Sequence, residues 1–318
     1  SLLPTPAISA LLSGRAINPF DQTVIRALLK DLQPALKNPP YEKLNDLREQ
    51  PFASESILES LQRQRKTGEM LSLSRACGGD DFSYLVKSRI GAGAYAQIYH
   101  AFAVDEDQTM ALCGLSDEEK PLALKVQSPA CPWEFYICSQ LHDRVSAWYP
   151  EEKDSILGIH NFHLFQNHSI LVSDYYEQGT LQDIINLYLS RGENVDEVLA
   201  MYYVVELLRV VEVMHQCQII HGDIKPDNLV VRNGGEGWVD WESSRPGSWN
   251  DKGLTLIDFG RGIDQALFDD GFKFEGDSGT EGFQCIEMQE GNEWSYQIDT
   301  FGICAVAHCL LFGEYMKV

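Results

Sequence analysis

Positive charge is scarce in this sequence: 25 Lys and Arg stand against 47 Asp and Glu, a formal net charge of −22. Such a balance makes nucleic acid a poor partner and a basic protein segment a plausible one, although solubility alone accounts for it equally well. A membrane-length apolar run is also missing. The longest, Ile303 to Phe312, is about half of the roughly 20 residues a helix needs to cross a bilayer, and fits a buried core helix better. The eight cysteines, at 77, 113, 131, 138, 217, 285, 304 and 309, show no C-x-x-C spacing, which argues against a zinc ribbon or a disulfide scaffold and for a reducing compartment. The opening Ser1 to Leu12 has no basic leading segment and contains Pro4 and Pro6, so it is not a secretion signal. There is no starting methionine and no helix cap or tail at Lys317-Val318, so the chain reads as a fragment.

What is present is globular. A length of 318 residues, 44% hydrophobic and 23% charged, permits a large core in one two-lobed domain or two domains. The chain is organised around Ile219 to Val231, I-I-H-G-D-I-K-P-D-N-L-V-V. Its apolar flanks predict short strands that hold a polar turn, and His221, Asp223 and Asn228 fall at the H-x-D-x-x-x-x-N spacing of a protein-kinase catalytic loop. Phosphoryl transfer needs polar groups held this rigidly, because it proceeds by positioning and charge compensation.

Companion motifs lie on either side. Ile90 to Tyr99 matches the phosphate-covering G-x-G-x-x-G-x-V loop, with Gly91 and Gly93 in place, Ala96 at the third glycine and Ile98 at the valine. Ala123-Leu124-Lys125-Val126 predicts a strand that carries the phosphate-pairing lysine. Nine positions on, the helix starting at Pro132 offers Glu134 as the partner of Lys125. Glu151 and Glu152, in an acidic run after Pro150, are the alternatives. Ile170 to Ser173 reads as a buried strand, and Asp174, Tyr175 and Tyr176 as a connector before a helix capped by Thr180. Asp196 to His215 predicts a helix with Val198, Met201, Tyr202, Val205, Leu208 and Val211 on its core face.

After that helix and the catalytic loop, Arg232 to Gly253, glycine-rich and holding Trp238, Trp241 and Trp249, reads as an inserted surface loop. Leu254 to Gly260 is a strand ending in D-F-G, whose Asp258 binds magnesium together with Asn228. The segment beyond runs to Cys285-Ile286-Glu287, with Ser278 and Thr280 as its hydroxyls. Asp299 opens the helix ending near Phe312, either as a helix cap or as an acceptor for the catalytic-loop backbone. Near the start, Asn18 or Asp21 caps a helix with Val24, Ile25, Leu28, Leu29 and Leu32 on one stripe, ending before Pro34. This is a regulatory brace or a plain packing helix. The cluster Arg63, Arg65, Lys66 reads as a solvated face.

The motif set resembles the eukaryotic protein kinases, and its finer spelling is similar to the Bub mitotic-checkpoint kinases. The residues that carry the resemblance are Asn18-Pro19-Phe20-Asp21, Gly93 to Tyr99, Leu124 to Gln127, Pro132 to Ile137, His221 to Asn228, Gly282 to Cys285 and Leu311 to Val318. It implies an α+β, bilobal protein-kinase fold: an N-terminal extension over residues 1–80, then a kinase domain over 81–318. The domain's β-rich N-lobe would cover about 81–173 and its α-helical C-lobe about 177–318, with further helices expected past Val318.

The resemblance also implies ATP and Mg²⁺ as cofactors. Gly91, Gly93, Ala96, Ile98, Ala123, Lys125 and the backbone of Asp174 to Tyr176 would hold the nucleotide, and Asn228 and Asp258 the metal. Asp223 would take the substrate proton and Lys225 would offset the charge of the moving phosphoryl group, with Lys125 and Glu134 completing the catalytic set. The implied reaction is serine/threonine phosphorylation in the spindle assembly checkpoint, at the kinetochore and in the nucleus with a cytoplasmic pool. A histone-tail-type protein would be the substrate and checkpoint proteins the partners, with no direct nucleic acid and no membrane. The family also contains scaffolds that have lost catalysis, which is the alternative reading. Two departures stand out: Gly222 replaces the arginine of H-R-D, which in many kinases pairs with an activation-loop phosphate, with Glu281 standing where the family usually has a hydroxyl residue, and the sequence is shorter than the family's C-lobe.

Overall fold

The computed structural model describes residues 17–36, 44–48, 57–63, 71–75, 82–93, 95–103, 120–233, 252–277 and 282–317. Several positions singled out in the sequence lie outside them: Ser1 to Leu12, Pro39-Pro40, Arg65, Lys66, Cys77, Cys113, the three tryptophans 238, 241 and 249, and Ser278, Thr280 and Glu281. The chain divides into two compact units. One comprises Pro39–Phe135 and Gly158–Tyr175, the other Ser1–Asn38, Tyr136–Leu157 and Tyr176–Val318.

The first unit is a seven-stranded sheet. Strands β1 (Leu44–Asp46), β2 (Leu71–Arg75), β3 (Phe82–Ala92), β4 (Ala96–Ala103), β5 (Pro121–Gln127), β6 (Ile159–Leu164) and β7 (Ser169–Asp174) lie in the order β1-β6-β7-β5-β4-β3-β2. All pairs are antiparallel except β1 with β6. Period-two alternation decides the faces: along β5, Leu122, Leu124 and Val126 are buried, while Ala123 and Lys125 point the other way. The buried set packs with Val86, Ala101, Ile170 and Val172, and the helical segment at 57–63 lays Ile57 and Leu61 on the same cluster.

A polar knot fastens one end of this sheet. The fully buried His163 receives Asn45 Nδ2 on Nδ1 at 3.1 Å and faces the Tyr84 hydroxyl from Nε2 at 2.9 Å, tying β1, β3 and β6 together. Burial pushes the Tyr84 phenol up to about 12, so it stays a neutral hydrogen-bonding group.

The second unit is mainly helical. Helix α1 (Gln22–Leu36) buries Val24, Ile25, Leu28 and Leu32, and its backbone continues through Pro34 instead of stopping before it, giving up one N–H bond. Helix α2 (Pro132–Trp148) begins in the sheet unit and continues in this one. Helix α3 (Leu181–Leu189) starts at Thr180 with a reciprocal capping box to Asp183. Helix α4 (Glu197–Gln216) leads into β8 (Ile219–Ile220), after which β9 (Leu229–Asn233), β10 (Lys252–Leu256) and β11 (Ile263–Asp264) make two small antiparallel ladders, β9 with β10 and β8 with β11. The short α5 (Ile286–Glu290) and the long α6 (Gln297–Phe312) follow.

Two expectations need correction here. Arg232 and Asn233 at one end of the expected inserted loop, and Lys252 and Gly253 at the other, belong to the paired strands β9 and β10 and not to a loop. On α4, the face expected in the core is largely outside: Val198 is 69% exposed, and Met201, Val205 and Leu208 are exposed as well. The buried face is Ala200, Tyr203, Leu207, Val210, Val211 and Met214. Nearly every face of this helix carries aliphatic side chains, so spacing alone could not select the one that its neighbours cover.

Among the described residues the six cysteines are free, no helix is long and apolar enough to cross a membrane, and no group of three or more His, Cys, Asp or Glu gathers as a metal site.

His168, in the β6–β7 turn, is fully buried and stacks on Phe165 at 4.3 Å. Burial pushes its imidazole down to about 4 from 6.5. The folded state therefore binds fewer protons than the unfolded state between those values, so the stability this site contributes is complete above pH 6.5 and is lost as pH falls toward 4. The unfolding temperature should drop by several degrees from pH 7 to pH 5, and thermal melts of His168→Phe should show a smaller drop.

Candidate active site

In the sheet unit, the hairpin of β3 and β4 is closed by Gly93 N–H to Ala96 O at 2.8 Å. Gly91 pairs with Ile98 and Ala96 with Gln127 in the ladder. Neither Gly91 nor Gly93 is demanded by the protein's own packing. Both lack a positive φ, and an added Cβ would meet Ile98 no closer than 3.5 Å, or only Ala96 O at 4.0 Å. A hairpin whose glycines the fold does not require leaves its backbone bare, which suits a bulky anion that approaches it closely.

Ala123 and Lys125 share the outward face of β5, with Ile98 opposite Lys125 across the ladder. Lys125 Nζ donates to Glu134 Oε1 at 2.8 Å, with Glu134 almost fully buried in the first turn of α2. The alternatives Glu151 and Glu152 lie in a 3₁₀ turn, and Glu152 is paired with Arg209. So placed, the Lys125 ammonium is held in one direction by a charge that water barely screens.

At the end of β7, Asp174 commits its N–H to Gly158 O at 3.0 Å and its carboxylate to His160 Nε2 and Lys120 Nζ, at 2.8 and 2.6 Å. Burial works against ionisation of this carboxyl, but His160 and Lys120 more than offset it and hold it below the usual range. Tyr175 stacks on His100 at 4.2 Å, and the next residue, Tyr176, begins the helical unit. Asp174 thus anchors this connector by its side chain, and its N–H is taken.

In the helical unit the loop after β8 is held by one carboxylate. Asp299, fully buried at the start of α6, accepts from the N–H groups of His221 and Gly222 at 2.8 and 2.9 Å and from His215 Nε2 at 2.9 Å. Of the two readings of Asp299, this is the acceptor for the loop backbone; the residue before α6 is Tyr296. His221 Nδ1 accepts from Asp223 N–H at 3.2 Å, which leaves the proton on Nε2 to be donated to Ile257 O at 3.0 Å.

Lys225 Nζ donates to Asp223 Oδ2 at 2.7 Å, and Asn228 Nδ2 donates to both Asp223 O and Oδ2, at 2.9 and 3.1 Å. The backbone bond from Ile257 N–H to Asn228 O, 3.0 Å, sets Asp258 next to this cluster. Asp258 sits at φ 65°, a left-handed conformation that Asp tolerates better than most residues and that is often found at functional sites. Because the Asn228 amide nitrogen is turned to Asp223, its oxygen points the other way. An amide oxygen and a carboxylate are the hard donors that Mg²⁺ accepts.

Gly222 has a structural cause. Its φ is +77°, and an added Cβ would lie 2.6 Å from Arg261 O and 3.3 Å from the Phe20 ring. Phe20 is held in turn: it stacks on Trp294 at 5.6 Å, its N–H bonds Asn18 Oδ1 at 2.9 Å, and Ile17 O accepts from Glu275 N–H at 2.9 Å. The Asn-Pro-Phe stretch is thus packed against the catalytic loop and the segment after D-F-G. Sequence reasoning gave Phe20 no role at that loop. It also gave no role to Tyr136, which lies within the Pro132 to Ile137 run, and missed Arg144 and Asp264, which no motif marks.

The sequence matches the Protein kinase domain family over residues 84–317. It is 37% identical over 305 residues to the mitotic checkpoint serine/threonine-protein kinase BUB1 of Arabidopsis thaliana, covering 95% of this chain and 53% of that protein. It is 34% identical over 328 residues to the spindle assembly checkpoint serine/threonine-protein kinase bub1 of Schizosaccharomyces pombe, covering 95% and 31%. The chain therefore spans about half or less of these relatives. Among solved structures, the BubR1 kinase domain superposes with a TM-score of 0.71 at 29% identity, over 95% of this chain and 78% of that one.

A comparison of two glycines checks the constraint at 222. Gly291 also has positive φ, at 72°, but nothing lies within 4 Å of its missing Cβ. Gly291→Ala should cost only backbone strain, about 1 kcal/mol, whereas Gly222→Ala adds the collision with Arg261 O and should cost roughly 3 kcal/mol or more. Denaturant midpoints at unchanged m-value measure both.

Proposed function

The chain belongs to the protein kinase family and is of the Bub1 mitotic-checkpoint type; from that premise we propose that it is an ATP- and Mg²⁺-dependent serine/threonine kinase. The observation that carries the proposal is the buried Lys125–Glu134 pair, 2.8 Å. Such a pair presents a lysine in a fixed direction toward an anion, and the residues around Asp223 are also all of the types the reaction needs.

In this reading Lys125, oriented by Glu134, binds the α- and β-phosphates beneath the Gly91–Gly93 hairpin, with Ala96, Ile98 and Ala123 against the nucleotide. The connector Asp174 to Tyr176 holds the adenine edge; with the Asp174 N–H taken, its other backbone groups serve. Asn228 and Asp258 hold Mg²⁺, which supplies charge compensation for the phosphates. Asp223 orients the substrate hydroxyl and accepts its proton, and Lys225 faces the charge that develops on the phosphoryl group.

The proposed division is an extension over 1–80 and a kinase domain over 81–318. The substrate is proposed to be a basic, histone-type protein tail, a match for a net charge of −22. Kinetochore and checkpoint proteins are the proposed partners and the mitotic nucleus the proposed place of action.

The test is transfer from labelled ATP to a histone substrate in Mg²⁺. Wild type should phosphorylate serine or threonine, and Asp223→Asn should lower kcat by a factor of roughly 100 or more, as expected for loss of a positioned base. Lys125→Arg should also lose activity, because a guanidinium fork does not reproduce a compact ammonium. Equal background transfer by all three proteins would leave the non-catalytic scaffold as the function. In thermal melts ATP should stabilise wild type more with Mg²⁺ than without it, and Asp258→Ala should abolish that difference.

A further inference from the structure

Asp264 lies fully buried on β11, six positions past Asp258. Arg144 grips it as a fork, Nη1 to Oδ1 at 2.8 Å and Nη2 to Oδ2 at 2.7 Å, while the Tyr136 hydroxyl donates to Oδ2 at 2.8 Å and Ala266 N–H to Oδ1 at 3.1 Å. Arg144 also reaches Cys217 O at 2.8 Å and Gln140 Oε1 at 3.1 Å. The spacing of 136, 140 and 144 puts all three side chains on one face of α2, the helix whose first turn carries Glu134. The segment after D-F-G lies hard against that helix: a Cβ on Gly262 would come within 2.6 Å of Ile137 Cγ2. Its backbone is laid along the strand that leads to the catalytic loop, with Ile263 opposite Ile220 and Asp264 opposite Ile219.

A buried ion pair contributes little net stability over well-packed apolar groups, but it penalises every arrangement in which one partner is left alone. This pair therefore selects one path for the chain that follows Asp258. Gly222 leaves the catalytic loop without the arginine that would pair with a phosphate on this segment. We propose that Arg144, assisted by Tyr136, is a positioning residue for phosphoryl transfer, fixing the chain beyond Asp258 through Asp264 without phosphorylation of that segment. The inference rests on the kinase reading and goes beyond it.

The test combines amide hydrogen exchange, which needs no activity, with kinetics. In Arg144→Ala, exchange across 259–268 should accelerate by about tenfold or more while β4 and β5 stay protected. The kcat should fall roughly tenfold to a hundredfold with little change in KM for ATP, as expected when a reacting group is held loosely. A cavity of about 510 Å³, lined by Gln140, Arg144, Trp148, Gln218 and Asp264 among others, adjoins the pair. Added ethylguanidinium at low millimolar concentration should therefore reach Asp264 in the variant and restore part of kcat, which a general loss of fold would not allow. An Arg144→Met/Asp264→Leu double variant leaves no buried charge alone. It should fold with near-normal thermal stability yet keep the fast local exchange and the low kcat.

Wild-type exchange and kcat in the double variant would overturn the proposal. So would acceleration spread evenly over the chain, with no guanidinium rescue, in the single variant. A wild-type protein that transfers no phosphate while local exchange responds as stated would overturn the kinase reading and leave the Arg144–Asp264 clamp standing.

Discussion

The helical unit depends on one carboxylate kept out of water. Asp299 is fully buried, and it is tolerable there because the N–H groups of His221 and Gly222 and the His215 ring all point at it. Those bonds fix the backbone just after β8, where His221 reaches Ile257 and Asp223, Lys225 and Asn228 come into mutual contact. An aliphatic residue at 299 would leave both buried N–H donors without a partner, and the loop would have no reason to keep this shape. Gly302, one turn further along α6, packs against Ile224 so closely that a Cβ would sit 2.8 Å from its carbonyl oxygen. Charge and steric fit thus act on the same loop from the same helix.

The sheet unit solves a different problem, holding a lysine charge where water is scarce. Lys125 keeps 11% of its side-chain surface and Glu134 only 1%. Each offsets part of the other's desolvation cost, and the contact fixes both rotamers. The Asp174 side chain plays an anchoring part at the end of β7, where Lys120 and His160 tie it down and its own N–H closes on Gly158.

Much of this was legible in the sequence because it is written in short, contiguous spacings. The loop from His221 to Asn228, the Gly91–Gly93 hairpin, the strand that carries Lys125 and the capped start of α3 are each local patterns with a local cause. What could not be read depends on contacts between distant positions. The outward face of α4 was misassigned because its aliphatic residues surround the helix, and the elements that pack on it, α6, β10 and β8, decide which side is covered. Arg144 and Asp264 are 120 positions apart, and neither belongs to a motif. Gly222 was visible as a substitution, but its reason, the Arg261 carbonyl on one side and the Phe20 ring on the other, is a matter of three-dimensional fit.

The position of Phe20 bears on where this domain begins. The kinase family pattern starts at residue 84, yet the aromatic ring that closes over Gly222 and stacks on Trp294 comes from residue 20, and Ile17 supplies a backbone acceptor to Glu275. A recombinant protein trimmed to the boundaries of the family pattern would keep every residue of the phosphoryl-transfer motifs. It would also leave the indole of Trp294 and the rim of the catalytic loop open to solvent, so that a sticky or inert preparation would report on the cloning boundary and not on the enzyme.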